Sequence, residues 1–207
     1  MTSLIIDTST QVNFLALIHE NETVGVRKIF ARPQASRFLL PAIQDLLNQS
    51  GLLLKDLQCV SVGNGPGAFT GTRMGVVIAK SLAFALRTPL VSFCSLESFM
   101  PEERESPFYI LADAKAKGLY YIKGCRFSGE IHIDPPKFAL IEDFVENIAA
   151  GSALFSPDAD FFREKLPVEV QDADFNLKHL SCLTRKKFQK KRYEDPLQLN
   201  AVYLRSP

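Results

Sequence analysis

The sequence predicts an α/β protein made of two lobes, and two observations support this prediction. Residues 58–64 and 89–95 are short apolar strand candidates, and the segment 70–88 between them has helical character. A strand, a helix and a strand with such short joints form a parallel crossover, the unit of an α/β sheet. The strand pattern at the start of the chain also returns after a charged segment bracketed by Pro101 and Pro107.

The repeated pattern is an apolar strand, an aspartate, a short polar turn and a second apolar strand. Asp113 takes in the second copy the place that Asp7 takes in the first. We predict from it a duplicated architecture, although one shared aspartate within generic hairpins can also arise by chance. The N-terminal lobe is expected at residues 1–100 and a reduced C-terminal lobe at residues 107–207, with the final residues free to return to the first lobe.

The first lobe is predicted to open with an antiparallel meander of three strands. These strands are expected at residues 3–7, 12–20 and 23–31. A helix follows at residues 36–51, because its apolar side chains recur at helical spacing and Gly51 is a suitable residue to end it. Pro41 inside this run either kinks the helix or marks its first turn.

The second lobe is less regular. After its opening hairpin, strands are expected at 137–141, 153–156 and 168–172, and helices at 142–150 and 176–195. The linker between the lobes is expected near 101–107, where charged residues stand between two prolines.

Composition excludes several classes of function. The chain has 24 Lys and Arg against 23 Asp and Glu, so no overall electric field would draw the whole body to nucleic acid or to a membrane. Its four cysteines are far apart in sequence and form no CxxC pair, which argues against a zinc site or a redox dithiol. No signal-like start and no long apolar run is found, so a cytoplasmic protein without a membrane partner is expected.

A glycine-rich segment, "GNGPGAFTGTRMG", runs from Gly63 to Gly75 and leads into the long helix. It has no lysine at the position that a Walker loop requires. The dinucleotide fingerprint GxGxxG also fails, because its last position falls on Ala68 when it is counted from Gly63 and on Thr70 when it is counted from Gly65. Two explanations stay open: glycines that adopt positive φ in a strand-to-helix turn, or exposed N–H groups that hold an anion.

The long helix carries a stripe of small residues at every fourth position. The stripe consists of Gly71, Gly75, Ala79 and Ala83. Apolar side chains cover most of the remaining circumference, so the helix must bury one side on its own sheet and the other against a neighbouring helix or a second protein. Burial of the whole helix inside this chain is the alternative.

Five segments together resemble one known family. They are "LIIDTST", "RFLLPAIQDLL", "VSVGNGPGAFTGTRMGVVIAKSLA", "ILADAKAKGLYYI" and the final "VYLR". The chain resembles the TsaB family, formerly YeaZ, which acts in the formation of threonylcarbamoyladenosine on bacterial tRNA. The resemblance covers the first lobe and the start of the second, thins after about residue 125 and returns at the end.

The resemblance implies a fold of the actin, Hsp70 and sugar-kinase type, with two duplicated lobes. It also implies a non-catalytic platform that pairs with TsaD, which carries out the transfer, and is joined by the ATPase TsaE. Pairing is expected through the two helices of the first lobe, and a homodimer is expected when the chain is alone. The expected partner-binding residues are Phe38, Leu39, Ala42, Ile43, Leu46, Gly71, Met74, Gly75, Ile78, Ala79 and Leu82.

The resemblance also suggests a weak nucleotide site. Active members of the superfamily grip phosphates with these hairpins, and the matching residues here are Asp7, Thr8, Ser9, Gly65 and Gly67. The second hairpin carries lysines instead, so the site is expected to be incomplete and no cofactor is expected to be required. A nucleotide at a partner interface is left open.

No metal site is expected. In the related protein TsaD, one helix carries an HxxxH motif. By the resemblance, the corresponding helix here contains no histidine and has Ala35 where TsaB relatives often keep one. No catalytic residue is therefore assigned.

Two other functions remain as alternatives. One is an ATP-dependent small-molecule kinase or phosphotransferase of the same fold, which would use Asp7, Asp113 and the glycine loop. The other is direct tRNA binding through "RKKFQKKR" at residues 185–192, although on a helix these charges spread around the circumference and a solvated helix is the simpler interpretation. In the platform hypothesis, tRNA is bound mainly through the complex.

Overall fold

The protein is described by a computed structural model, which covers residues 1–30, 36–102, 107–127 and 130–204. Ala35 and the middle of the expected linker, residues 103–106, lie outside the described residues. The strands are β1 (Ser3–Asp7), β2 (Val12–His19), β3 (Glu22–Phe30), β4 (Cys59–Gly63), β5 (Leu90–Phe93), β6 (Phe108–Asp113), β7 (Gly118–Phe127), β8 (Glu130–Ile133), β9 (Lys137–Leu140), β10 (Ala153–Ser156) and β11 (Val170–Asp172). The α-helices are α1 (Ser36–Gln49), α2 (Phe69–Leu86), α3 (Ile141–Glu146), α4 (Ala159–Arg163) and α5 (Leu177–Gln189).

The chain divides into two compact units. Unit 1 comprises Met1–Ser95 with Leu177–Val202, and unit 2 comprises Leu96–Asn176 with the last residues from Tyr203. Each unit is built on its own mixed sheet.

The sheet of unit 1 has five strands in the order β3-β2-β1-β4-β5. β1, β2 and β3 pair antiparallel, as the predicted meander requires, and β4 and β5 add parallel to the edge of β1. The parallel crossover from β4 to β5 is made by α2, since a parallel connection needs a helix-length return. α1 and α2 both pack on one face of this sheet and share one apolar core with it.

The sheet of unit 2 repeats this arrangement. Its path is β8-β7-β6-β10-β11, with β6, β7 and β8 antiparallel and β10 and β11 parallel to β6, while β9 pairs with β7 off the path. Asp7 ends β1 and accepts a hydrogen bond from the Ser9 N–H (2.9 Å), and Asp113 ends β6 and accepts one from the Lys115 N–H (2.7 Å). The predicted α/β architecture with two duplicated lobes is confirmed.

The last helix departs from the sequence-based boundary at residue 107, which assigned it to the second lobe. α5 groups with unit 1 because it bonds to that sheet on the side away from α1 and α2. The Thr184 hydroxyl donates to Ser61 Oγ (2.9 Å), and Lys187 Nζ donates to the Ser92 carbonyl (2.6 Å). Farther along, the Val202 N–H donates to the Asn64 carbonyl (2.7 Å), also within unit 1.

Pro41 lies inside α1 and not in its first turn, so the first-turn alternative is wrong. Pro41 is exposed, and it has no N–H to donate to the Arg37 carbonyl one turn earlier. Leu39, Ile43, Leu46 and Leu47 point inward and form the buried side of α1.

Candidate functional site: the glycine loop and the outer surface of α1 and α2

The glycine loop joins β4 to α2 and lies directly on the turn between β1 and β2. A Cβ atom on Gly67 would stand 2.5 Å from the Ser9 carbonyl oxygen, closer than side chains approach such atoms. The Ala68 N–H donates to that same oxygen at 2.7 Å. Gly65 has a φ of +104°, which favours glycine. Gly67 therefore allows close packing of the chain and Gly65 adopts positive φ. This geometry favours the first explanation over N–H groups that hold an anion.

The weak nucleotide candidates of the first hairpin are brought together here, but below the surface. Asp7, Thr8 and Ser9 are 1%, 0% and 3% exposed. The Thr8 hydroxyl donates to the Gly71 carbonyl (2.6 Å), so it is already used inside the unit. The Ser9 hydroxyl is buried with no hydrogen-bond partner in the part of the chain that the structure describes. These groups do not form an open phosphate site.

The small-residue stripe of α2 faces the sheet of unit 1, which corrects the expectation that it faces a partner. A Cβ on Gly75 would stand 2.4 Å from Thr8 Oγ1, and Ala79 and Ala83 are 0% and 1% exposed. Gly71 packs on the Thr8 backbone in the same way. Small residues at these positions let α2 approach β1 closely, so Gly71, Gly75 and Ala79 are not available to a second protein.

Three of the predicted contact residues on α1 are also buried. Leu39, Ile43 and Leu46 belong to the core of unit 1 and are at most 2% exposed, so they cannot bind a partner. Four others are half-buried and pack against that core. These are Ala42, Met74, Ile78 and Leu82. Of the predicted contact residues, Phe38 is open to solvent, at 59% exposed.

The exposed apolar side chains of the two helices were mostly not among the predicted contacts. They share large size and outward position, and we call them the α1–α2 outer surface. The set is Phe38, Leu40, Phe69, Val77 and Phe84, with exposures between 42% and 64%. The Arg73 guanidinium lies 3.7 Å from the centre of the Phe69 ring and adds a cation to this surface. The sequence signal for these positions is weak, because α2 has no polar face to show which side is buried.

The apolar character of α2 has a second consequence. The helix is long enough and apolar enough to cross a membrane, but core helices of soluble proteins meet the same two criteria. Here it packs on the sheet through Val76, Ala79 and Ala83.

The second hairpin, in unit 2, is arranged around a lysine. Lys115 Nζ lies 2.5 Å from Asp113 Oδ2, so the ammonium neutralises the carboxylate. The residues Lys115, Ala116 and Lys117 all have positive φ. Burial raises the pKa of Asp158, whose carboxylate accepts a hydrogen bond from the Asp113 N–H. No group of three or more potential metal ligands occurs among residues 1–30, 36–102, 107–127 and 130–204.

Comparison with known proteins identifies the family. The family model described as TsaD, tRNA N6-adenosine threonylcarbamoyltransferase, matches residues 14–143, which is more than half of the chain. The tRNA threonylcarbamoyladenosine biosynthesis protein TsaB of Bacillus subtilis is 36% identical over 104 residues, which are 50% of this chain and 45% of that protein. Escherichia coli TsaB is 35% identical over 96 residues, or 46% and 41% of the two chains. The chain belongs to this family, in its TsaB/YeaZ branch.

Solved structures agree with the TsaB/YeaZ assignment over nearly the whole chain. A Pseudomonas aeruginosa protein described as similar to peptidase YEAZ superposes with a TM-score of 0.81 at 26% identity and covers 99% of both chains. The ethanolamine utilization protein EutJ of Carboxydothermus hydrogenoformans has a TM-score of 0.51 at 9% identity, covers 87% of this chain and 89% of its own, and shares the fold alone. The predicted actin-like fold class is confirmed. The sequence matches to B. subtilis and E. coli TsaB span less than half of those proteins.

Proposed function

We propose that this chain is a non-catalytic platform subunit of the bacterial machinery that forms threonylcarbamoyladenosine on tRNA. It pairs with and activates a TsaD-type subunit in the cytoplasm, and a TsaE-type ATPase joins the pair. Membership of the TsaB/YeaZ branch supports this role, because the curated relatives are named as biosynthesis proteins of that modified nucleoside. The chain is a required subunit of a threonylcarbamoyl transferase complex and has no activity of its own.

The observation that carries the proposal is the α1–α2 outer surface. Five large apolar side chains are exposed on the two helices of unit 1, and exposed apolar patches are typical of protein-binding surfaces. Three of the five are Phe and an arginine lies beside one of them, and aromatic residues and Arg are enriched at protein interfaces. These features support a role of this surface in binding a protein partner.

We take a TsaD-type subunit as the partner, because the family model for TsaD matches this chain over residues 14–143 and indicates that the two proteins share an architecture. Two subunits of the same architecture can present equivalent helices to each other about a pseudo-twofold axis. The same geometry allows a second copy of the chain to take the place of the partner. A homodimer is therefore expected when the TsaD-type subunit is absent.

The lack of intrinsic catalysis is supported by the state of the two hairpins. Asp7 is buried, and the Asp113 carboxylate is neutralised by Lys115. Neither aspartate is open to a metal-bound nucleotide, so the kinase alternative has no observation in its favour. In this proposal the chain requires no cofactor.

The test is to mix the chain with the TsaD-type subunit of its host and measure complex formation by light scattering. A one-to-one complex is expected, and modification of tRNA by the full set of proteins should require this chain. The chain alone is assayed with ATP and magnesium, where no saturable turnover is expected. A turnover that is saturable in ATP and lost in Asp7→Ala would favour the kinase instead.

A further inference from the structure

The segment from Leu177 to Tyr193 has an unusual charge for this protein. It contains seven lysines and arginines and no acidic residue, although the whole chain is nearly neutral with 24 basic and 23 acidic residues. The seven are Lys178, Arg185, Lys186, Lys187, Lys190, Lys191 and Arg192. The proposed platform function assigns no role to them.

The structure separates these cations into two groups. Arg185 donates to Asn21 Oδ1 (3.0 Å) and Lys187 to the Ser92 carbonyl (2.6 Å), and both are partly buried in unit 1. The other five side chains are exposed, and we call them the α5 basic surface. They are Lys178, Lys186, Lys190, Lys191 and Arg192. The fixed cations thus explain part of the charge run, and the exposed ones need another explanation.

Three of the exposed lysines lie on the outer side of α5. At about 100° per residue, Lys178, Lys186 and Lys190 fall within roughly a third of the helix circumference. Leu180 and Thr184, on the opposite side, are fully buried. The lysines extend over roughly 18 Å at 1.5 Å per residue, which is long enough to reach several phosphates of a nucleic acid. These three lysines lie along one side of α5, whereas the other four cations of the segment do not.

The remaining cations lie in the turn that ends α5. The Arg192 N–H donates to the Lys187 carbonyl (2.9 Å) and the Lys191 N–H to the Phe188 carbonyl (3.0 Å), which is the hydrogen-bond pattern of a Schellman turn. Tyr193 donates from its hydroxyl to the Phe188 carbonyl (3.0 Å), and its ring packs on that of Phe188. Lys191 has a φ of +51°, where glycine or asparagine is favoured. Lys191 thus places a cation at a turn position where glycine would fit better.

The helix dipole does not explain this pattern. Cations near a helix C-terminus are stabilised by the dipole, which accounts for Lys186 and Lys187 in the last turn. Lys178 lies in the first turn of α5, where a positive charge is unfavourable. A ligand with negative charges along its length explains both ends of the line.

We propose that the α5 basic surface binds the sugar-phosphate backbone of tRNA in the assembled complex. This inference rests on the proposed function, which makes tRNA the substrate of that complex. A membrane is disfavoured because Leu180 of α5 is fully buried, whereas interfacial helices need their apolar side chains outside. Phosphate contacts of this kind give affinity without base specificity.

The experiment uses the chain in complex with its TsaD-type partner and fluorescently labelled tRNA over a series of salt concentrations. The test variant is Lys186→Gln, Lys190→Gln and Arg192→Gln. The control variant is Lys55→Gln, Arg87→Gln and Lys137→Gln, which removes the same charges from exposed positions elsewhere. Partner binding and melting temperature are measured for both variants, and tRNA binding is also measured for the chain alone.

We expect the Kd for tRNA to rise about tenfold or more near physiological salt in the test variant, and the slope of log K against log salt to fall by about two to three units. The control should stay within about twofold of wild type, and both variants should bind the partner normally. Equal tRNA affinity and slope in the two variants would overturn the proposal. Binding to anionic lipid vesicles is measured as well. If the test variant keeps its tRNA affinity but loses binding to the partner or to the vesicles, the proposal is overturned.

Failure of the proposed function has a different signature. If the wild-type chain does not associate with the TsaD-type subunit, the platform role is wrong. The tRNA contact is then judged from tRNA binding by the isolated chain. Salt-dependent binding that is lost in the test variant would support the contact, and absence of tRNA binding would overturn it.

Discussion

A Cβ atom on Gly71 would stand 2.1 Å from the carbonyl oxygen of Thr8, because the start of α2 lies directly against the turn after β1. The Thr8 hydroxyl also donates to the Gly71 carbonyl, at 2.6 Å. The glycine is therefore required by packing inside unit 1 and not by a ligand.

Gly71→Ala should destabilise the protein by about 2–3 kcal/mol or more, since the obstacle is backbone and cannot rotate away. The measurement is urea unfolding followed by circular dichroism. Ser81→Ala, on the exposed side of the same helix, is the control and should stay within about 0.5 kcal/mol of wild type. A Gly71→Ala protein of wild-type stability would mean that α2 and the first hairpin are not in contact.

The buried thiol of Cys59 should make the stability of the protein depend on pH in the alkaline range. Burial raises the pKa of Cys59 from 9.0 to about 12. The unfolded chain loses this proton above about pH 9 while the folded chain keeps it, so the free energy of unfolding should fall by about 1.4 kcal/mol per pH unit from this group. The contribution is fully present below pH 9 and is lost as the pH rises towards 12.

The measurement compares wild type with Cys59→Ala in urea between about pH 8 and 10.5, since the difference between the two isolates this thiol from other titrating groups. Native Cys59 should also resist alkylation until the protein unfolds, because the thiolate is the reactive form. A parallel pH dependence in the two proteins would contradict the assignment.

Whereas Gly71→Ala should lower the stability of the protein, a substitution at Lys191 should raise it. Lys191→Gly should stabilise the protein, by up to about 1 kcal/mol, because glycine adopts the positive φ of this turn without strain. Lys190→Gly is the matched control and should destabilise, by about 0.5–1 kcal/mol, since Lys190 continues the hydrogen bonding of α5 with its N–H bound to the Lys186 carbonyl. Thermal melting of both variants checks the signs. Destabilisation by Lys191→Gly would mean that the turn does not have this conformation.

The sequence predicted the strands and helices of unit 1 well, because their apolar periods are regular and bounded by turn residues. It did not predict which side of α2 is buried. The helix is apolar nearly all round, so only the contact between Gly75 and Thr8 shows that the small residues face the sheet. On α1 the spacing identified Leu39 and Ile43 as one apolar side but could not tell a core from an interface, and both are core.

The sequence also did not predict that α5 packs in unit 1. Its assignment to unit 1 depends on pairs such as Thr184 with Ser61, which are 123 residues apart and carry no local signal. The role of the glycine loop is a similar case. Glycines required by backbone contact and glycines that bind phosphate give the same sequence, and the position of the Ser9 carbonyl distinguishes the two.

The proposed role of the α1–α2 outer surface is to bind a TsaD-type subunit. Its most direct test is the affinity of the double variant Val77→Glu and Phe84→Glu for that subunit, measured by light scattering or calorimetry. The control is Leu53→Glu and Leu197→Glu, which makes the same change at two exposed apolar side chains of unit 1 outside α1 and α2. We expect an affinity loss of about hundredfold or more for the test variant, with unchanged melting temperature, and near wild-type binding for the control. A test variant that is folded and binds as tightly as the control would contradict it.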